Sequence, residues 1–240
     1  MEDYRIPPGM EAVEKLEDFI VVNRLTANTR IPSERNLCEM WGVSRSTLRQ
    51  AVDTLVSWGV LYRVKESGVY VAVPKKNRNI VGVDSMMGEL RQQGIFFTKK
   101  IISARTIEAT RQISRKLKIP LGQKVYEYIR IRKADYVPSI LETTYIDCKQ
   151  YPGLDEYYTE KTSLNYIFKN IYHKKQNSGE EHISVTYASE NEAKMFEIEQ
   201  GTPLFFTSGV VEDDKRVPII YYKQLLRSDQ FKFVSMINKE

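Results

Sequence analysis

Ile31-Pro32-Ser33-Glu34-Arg35, followed by Trp41-Gly42-Val43-Ser44-Arg45-Ser46-Thr47-Leu48-Arg49-Gln50-Ala51, is the stretch on which the reading of this 240-residue chain turns. Pro32 disfavours helix at the residue before it, and Ser33 is suited to cap a short helix carrying Leu37, Cys38, Met40 and Trp41. Gly42 ends that helix. Ser44 caps a second helix, with Val43 and Leu48 at the spacing of a hydrophobic staple. In the second helix Leu48, Ala51, Val52 and Leu55 form an inward stripe, while Arg45, Ser46, Arg49 and Gln50 cluster outward near its start. Two short helices about a tight turn predict a helix-turn-helix, whose second helix lays its N-terminal end in the DNA major groove. Arg45 and Arg49, one turn apart, can bridge phosphates or reach the O6 and N7 acceptors of guanine.

Upstream, Val13, Leu16, Phe19 and Ile20 recur at helical spacing between Met10 and Val22 and predict a supporting helix. Downstream, Leu61 to Val64 and Val69 to Ala72 read as short strands around Lys65-Glu66-Ser67-Gly68, a wing whose glycine suits close approach to a minor groove. Trp41 and Trp58 are read as core or domain-edge packing. Pro74-Lys75-Lys76-Asn77-Arg78-Asn79 is polar and basic and reads as a linker, giving a DNA-binding domain over 1–73, a linker over 74–79 and a second domain over 80–240.

The second domain alternates strands rich in Val, Ile, Tyr and Phe with helices, which predicts an α+β class. Leu117-Lys118-Ile119 through Gly122 to Val125-Tyr126 is echoed by Phe196-Glu197-Ile198 through Gly201 to Leu204-Phe205, so two related halves should share one antiparallel sheet. Alternation from Val125 to Arg132 puts Tyr126, Tyr128, Arg130 and Arg132 on one face. Paired guanidinium groups suit a phosphate or carboxylate; the alternative is that both are salt-bridged to Glu142 or Glu127 across the hairpin.

Composition narrows the classes further. Lys and Arg exceed Asp and Glu by 36 to 31, too small an excess to mark a nucleic-acid binder by itself. Cys38 and Cys148 have no Cys or His at metal-ligand spacing, so neither a disulfide scaffold nor a metal site is expected. No phosphate loop, nucleophile elbow or metal cluster appears, and His173 and His182 lie in a polar stretch, so no catalytic residue and no cofactor is expected. Met1-Glu2-Asp3-Tyr4-Arg5 lacks an apolar signal core, and no run nears the roughly 18 apolar residues of a membrane helix, so a cytoplasmic protein without membrane contact is expected.

The N-terminal stretch, with Leu55 to Val71, resembles the DNA-binding domain of GntR-type regulators. That resemblance implies DNA contacts at Arg35, Arg45, Thr47, Arg49 and Gly68; Ser46 and Lys65 complete the candidate set. Glu66 departs from the Gly, Gln or basic residue more usual in the wing. The second domain resembles the UTRA effector domain of the HutC-like branch, a chorismate-lyase-like fold, through Arg130-x-Arg132, Leu141-Glu142-Thr143-Thr144-Tyr145, Tyr151-Pro152-Gly153-Leu154, Ser163-Leu164, Gly201-x-Pro203-Leu204 and Arg227-Ser228-Asp229-Gln230-Phe231-Lys232-Phe233.

By resemblance, Arg130, Arg132 and Ser163 hold an anionic group and Glu142 is a polar pocket position. Ile219-Ile220-Tyr221 and Leu225-Leu226 depart from the pattern and are expected to remove hydroxyl-reading groups, so the ligand should not be an ordinary sugar phosphate. The expected protein is a homodimeric repressor that binds near-palindromic double-stranded operator DNA and responds to a small anionic metabolite. Two other readings stay open, a metabolic enzyme and a DNA-binding protein whose second domain only dimerises.

Overall fold

The computed structural model describes residues 8–79 and 94–234 and divides the chain into two compact units, Met1–Lys75 and Lys76–Glu240. In the first unit, helices α1 (Pro8–Val22), α2 (Glu34–Trp41) and α3 (Arg45–Ser57) precede strands β1 (Leu61–Val64) and β2 (Gly68–Val71). Each predicted signal has its structural counterpart. Ser33 Oγ accepts from Asn36 N, Gly42 closes α2 in the left-handed conformation at φ 65°, and Ser44 Oγ accepts from Thr47 N. Leu16, Leu37, Leu48, Ala51, Val52 and Leu55 are fully buried in one core with Ile31, Leu61 and Val71. Burying a Leu or Val side chain contributes about 1.5–3 kcal/mol, so this stripe holds α3 in place. Trp41 packs edge-on against Phe19, whereas Trp58, the C-terminal cap of α3, is 46% exposed and is not a core residue.

The wing gains a β-bridge that periodicity did not reveal. Arg30 bridges Tyr70, and Ile31 N and Val71 N donate to Val69 O and Thr29 O, so residues 29–31 line the β1–β2 hairpin. Arg63 of β1 donates to Glu34 of α2 at 3.1 Å and to Asp53 of α3 at 2.7 Å, fixing both helices of the helix-turn-helix to the wing.

The second unit is built on a six-stranded antiparallel sheet of order β4-β5-β6-β9-β8-β7, comprising β4 (Phe97–Glu108), β5 (Lys124–Ala134), β6 (Val137–Asp147), β7 (Gln176–Tyr187), β8 (Pro203–Asp213) and β9 (Pro218–Arg227). The internal echo is visible in the hydrogen bonds. Helices α4 (Arg111–Leu117) and α7 (Glu190–Phe196) are capped by Thr110 and Ser189, end on left-handed Lys118 and Glu197, and lead into Gly122 at φ 78° and Gly201 at φ 81°. Ala109 N and Ala188 N donate to Gln123 O and Thr202 O respectively, at 2.9 Å in both halves. The halves meet at β6 and β9, whose pairing runs from Ile140–Leu226 to Tyr145–Tyr221. Short helices α5 (Leu154–Tyr157) and α6 (Leu164–Asn170) follow β6 and bring Leu154, Ile167 and Phe168 onto Tyr126, Tyr128 and Ile146 of the sheet.

The predicted linker needs correction. Lys76–Asn79 is strand β3, paired in parallel with β10 (Phe231–Val234), so four of the six residues assigned to the linker belong to the second unit. The polar composition concealed this because Arg78 is 6% exposed, its charge balanced by Glu181 and its guanidinium 5.1 Å from the Phe233 ring. Residues 1–7, on which the reading of the N-terminus rested, and 80–93 lie outside the described residues.

Candidate nucleic-acid interface and anion site

Arg45, Ser46 and Arg49 are exposed on the first two turns of α3, opposite the buried stripe, and Thr47 is half-buried. Ion pairs of the first unit, among the described residues, occupy Lys15, Arg35 and Arg63 but neither Arg45 nor Arg49. Both guanidinium groups are therefore available to an external acceptor beside a helix N-terminus that itself favours anions. Ser44 Oγ lies 2.8 Å from Thr47 Oγ1 and 2.9 Å from Ser46 Oγ, so the cap orients both hydroxyls. Arg35 is exposed on α2 and shares its charge with Glu39 at 3.0 Å.

At the wing, Lys65 is exposed and Gly68 has φ +126°. A Cβ at Gly68 would stand 2.9 Å from Arg30 Nε, so the glycine makes room for an exposed guanidinium that sequence reasoning passed over. The available signal was the basic residue immediately before Ile31-Pro32, masked by its distance in sequence from the wing. Glu66 also adopts a left-handed conformation, φ +61°, and places a carboxylate at the tip.

In the second unit β5 carries Arg130 and Arg132 on the face that holds Tyr126 and Tyr128, as alternation requires. The salt-bridged alternative is what the structure shows, with Glu142, their neighbour across the β5–β6 pairing, as the shared carboxylate and both arginines buried or half-buried. Arg130 Nη2 donates to Glu142 Oε1 and Arg132 Nε to Oε2 at 3.3 Å; Glu127, on the opposite face, pairs with Arg105. Thr144 Oγ1 and Gln224 Nε2 add bonds to Glu142 at 2.9 and 3.2 Å. Arg130, Glu142 and Thr144 are all at most 4% exposed, and a buried carboxylate so fully bonded holds the guanidinium groups in place. Arg130 Nη1 donates to the Tyr158 hydroxyl, while Arg130 Nε is buried and has no hydrogen-bond partner among the described residues.

Ser163 stands at the edge of this cluster as the N-cap of α6, its Oγ accepting from Tyr166 N at 3.0 Å. The side chain that joins it to the arginines is Lys99 of β4, register partner of Arg132, which sequence reasoning missed. Its Nζ donates to Thr159 O at 2.7 Å and to Thr162 O at 2.6 Å, and lies 4.2 Å from the Tyr158 ring centre. Burial, then Arg130 and Arg132, lowers its pKa to about 7. Nothing local in Thr98-Lys99-Lys100 announces this, because the cluster exists only once β4 pairs with β5.

Of the β9 positions read as departures, Ile219, Ile220, Tyr221 and Leu226 are buried. Tyr222 and Gln224, between them, pair with Thr144 and Glu142 and so share the face of Arg130. The Tyr222 hydroxyl donates to Glu181 at 2.7 Å, and burial raises its pKa above the usual tyrosine range.

His182 is exposed beside Glu180, and no group of three or more metal-ligating side chains occurs among the described residues. No described helix is long and apolar enough to cross a membrane.

The family model for the UTRA domain matches residues 92–232, and that for bacterial regulatory proteins of the gntR family matches residues 9–71. The chain is 30% identical over 206 residues to a probable fructoselysine utilization operon transcriptional repressor of Escherichia coli O157:H7, covering 86% of this chain and 84% of that protein. It is 25% identical over 239 residues to the HTH-type transcriptional repressor NagR of Bacillus subtilis, covering 98% and 96%. The crystal structure of PhnF from Mycobacterium smegmatis superposes with a TM-score of 0.70 at 24% identity, over 95% of this chain and all of that one, and shows the same fold.

Proposed function

The chain belongs to the GntR family of bacterial transcriptional regulators, in the HutC-like branch with a UTRA domain, and from that premise we propose that it represses by binding a near-palindromic operator as a homodimer and responds to a small anionic metabolite. The observation that carries the DNA side is the pair Arg45 and Arg49, exposed and, among the described residues, in no ion pair, at the start of a capped, buried-backed helix. One such helix reads one half-site, which is why a two-fold dimer is required. Ser46, Thr47, Arg35 and the wing residues Lys65 and Gly68 supply the flanking contacts, with Arg30 added by its place against Gly68.

Arg130, Arg132, Glu142 and Ser163, with Lys99, form the metabolite site. A phosphate or carboxylate there supplies the acceptor that buried Arg130 Nε lacks. Tyr222 and Gln224 read the rest of the ligand. The metabolite changes operator affinity only through its different affinity for the DNA-competent and DNA-incompetent arrangements. The site has the acceptors and donors for binding and lacks a nucleophile paired with a base, which favours a sensor over an enzyme.

Selection of bound genomic fragments by the purified protein tests the DNA assignment and nominates the metabolite through the neighbouring genes. Arg45→Ala and Arg49→Ala should each cost about 1–3 kcal/mol in operator affinity where they bond a base bidentately. Unchanged footprints in both variants would remove the assignment. Arg130→Ala and Arg132→Ala should keep operator binding and lose the metabolite response; a response that survives both would favour a second domain that only dimerises.

A further inference from the structure

We propose that Lys99 is the third cation of the anion site, and that it fits the site to a doubly charged head group such as a phosphate monoester in preference to a carboxylate. This rests on the anion-site reading above. An ammonium group has three protons to donate. Two of those of Lys99 are committed, to Thr159 O at 2.7 Å and Thr162 O at 2.6 Å; the nitrogen also lies 4.2 Å from the Tyr158 ring centre, and Glu160 is near enough to favour its charge. A neutral amine has two protons and satisfies the same two carbonyls. The third proton is therefore the one that has no oxygen acceptor of its own among the hydrogen bonds of the described residues.

The groups facing Lys99 explain why it gives up that proton readily. Arg132 is its register partner on β5, Arg130 stands across the Tyr158 ring, and Glu142 behind them is shared by both guanidinium groups; Glu160, exposed, is spent on Ile101 N at 3.1 Å. Burial and the two arginines hold its pKa near 7. An anion entering beside Arg130 and Arg132 reverses the local field, and a dianion does so with about twice the Coulomb energy of a monoanion. Binding therefore draws a proton onto Lys99.

Sulfate, a dianion that does not titrate near neutrality, is the probe of choice. Calorimetric titration of the full chain at pH 8, in two buffers of different ionisation enthalpy, should show uptake approaching about one proton per site, since at that pH an amine of pKa 7 is mostly neutral. Sulfate affinity should fall by up to about tenfold per pH unit above 7. Lys99→Met should lose the proton uptake, bind sulfate about tenfold more weakly at pH 6, and show a smaller preference for sulfate over acetate. Lys99→Arg, always charged, should bind sulfate at pH 8 at least as well as the wild type without proton uptake, which also reports that the site is folded. Proton uptake that persists in Lys99→Met, or unchanged sulfate affinity in that variant while Arg130→Ala loses binding, overturns the role of Lys99 and leaves the anion site standing. Absence of sulfate binding to the wild type at both pH 6 and pH 8 overturns the anion site and this inference together.

Discussion

At the scale of single residues, the wing tip shows two side-chain choices in conflict. Gly68 is required by its φ of +126°, which side-chain-bearing residues rarely adopt, and a Cβ there would also push the Arg30 side chain aside. Glu66 at φ +61° is not a favourable choice, since a left-handed conformation costs a non-glycine residue roughly 1–2 kcal/mol and its carboxylate lies where phosphates are expected. Glu66→Gly should raise stability by about 0.5–1 kcal/mol in thermal unfolding and tighten operator binding in fluorescence anisotropy. An unchanged melting temperature with weaker binding would mean that Glu66 makes a base contact of its own. Conversely, Gly68→Ala should displace Arg30 and weaken DNA binding more than it lowers the melting temperature.

At the scale of elements, helix α3 is set by its ends and its stripe. Ser44 caps it and simultaneously orients Ser46 and Thr47, so Ser44→Ala should cost about 1 kcal/mol in urea unfolding and a further loss in operator affinity beyond that expected from stability. Ser44→Asp, which restores a cap acceptor, should recover the stability but bring a negative charge to the interface and bind DNA less well. Helix α3 was legible residue by residue, because caps and apolar spacing are local signals. The two halves of the sheet were legible for a related reason: Leu117-Lys118-Ile119 and Phe196-Glu197-Ile198 end helices in the same left-handed turn, and both Lys118 and Glu197 tolerate it although neither is glycine. Strand β3 was not legible, since its pairing partner β10 lies about 150 residues away and its buried arginine looks like a linker residue in composition.

At the scale of the whole molecule, a net charge of +5 on 240 residues cannot by itself hold DNA, so affinity must come from where the cations are placed. Operator affinity should fall linearly on a log–log plot against salt, with a slope of about −0.9 for each phosphate neutralised. Substituting Lys65 or Arg30, which stand at the wing, should reduce that slope by about one while leaving sequence preference unchanged. Arg45→Ala or Arg49→Ala should instead relax preference at one position of each half-site. A salt slope identical in the wild type and in both wing variants would take the wing off the DNA.

What the sequence determined by itself was everything carried by near neighbours: the capped helices, the turn at Gly42, the wing hairpin, the alternation that puts Arg130 and Arg132 on one face, and the repeated half. These follow from backbone geometry and apolar spacing over fewer than about fifteen residues. Tertiary structure alone decided that Glu142 rather than Glu127 receives the two arginines, that Lys99 stands between them and the Ser163 loop, and that Arg30 backs the wing. Charge balance and proton affinity in a buried cluster depend on which strands become neighbours and how far water is excluded, and no local pattern encodes either.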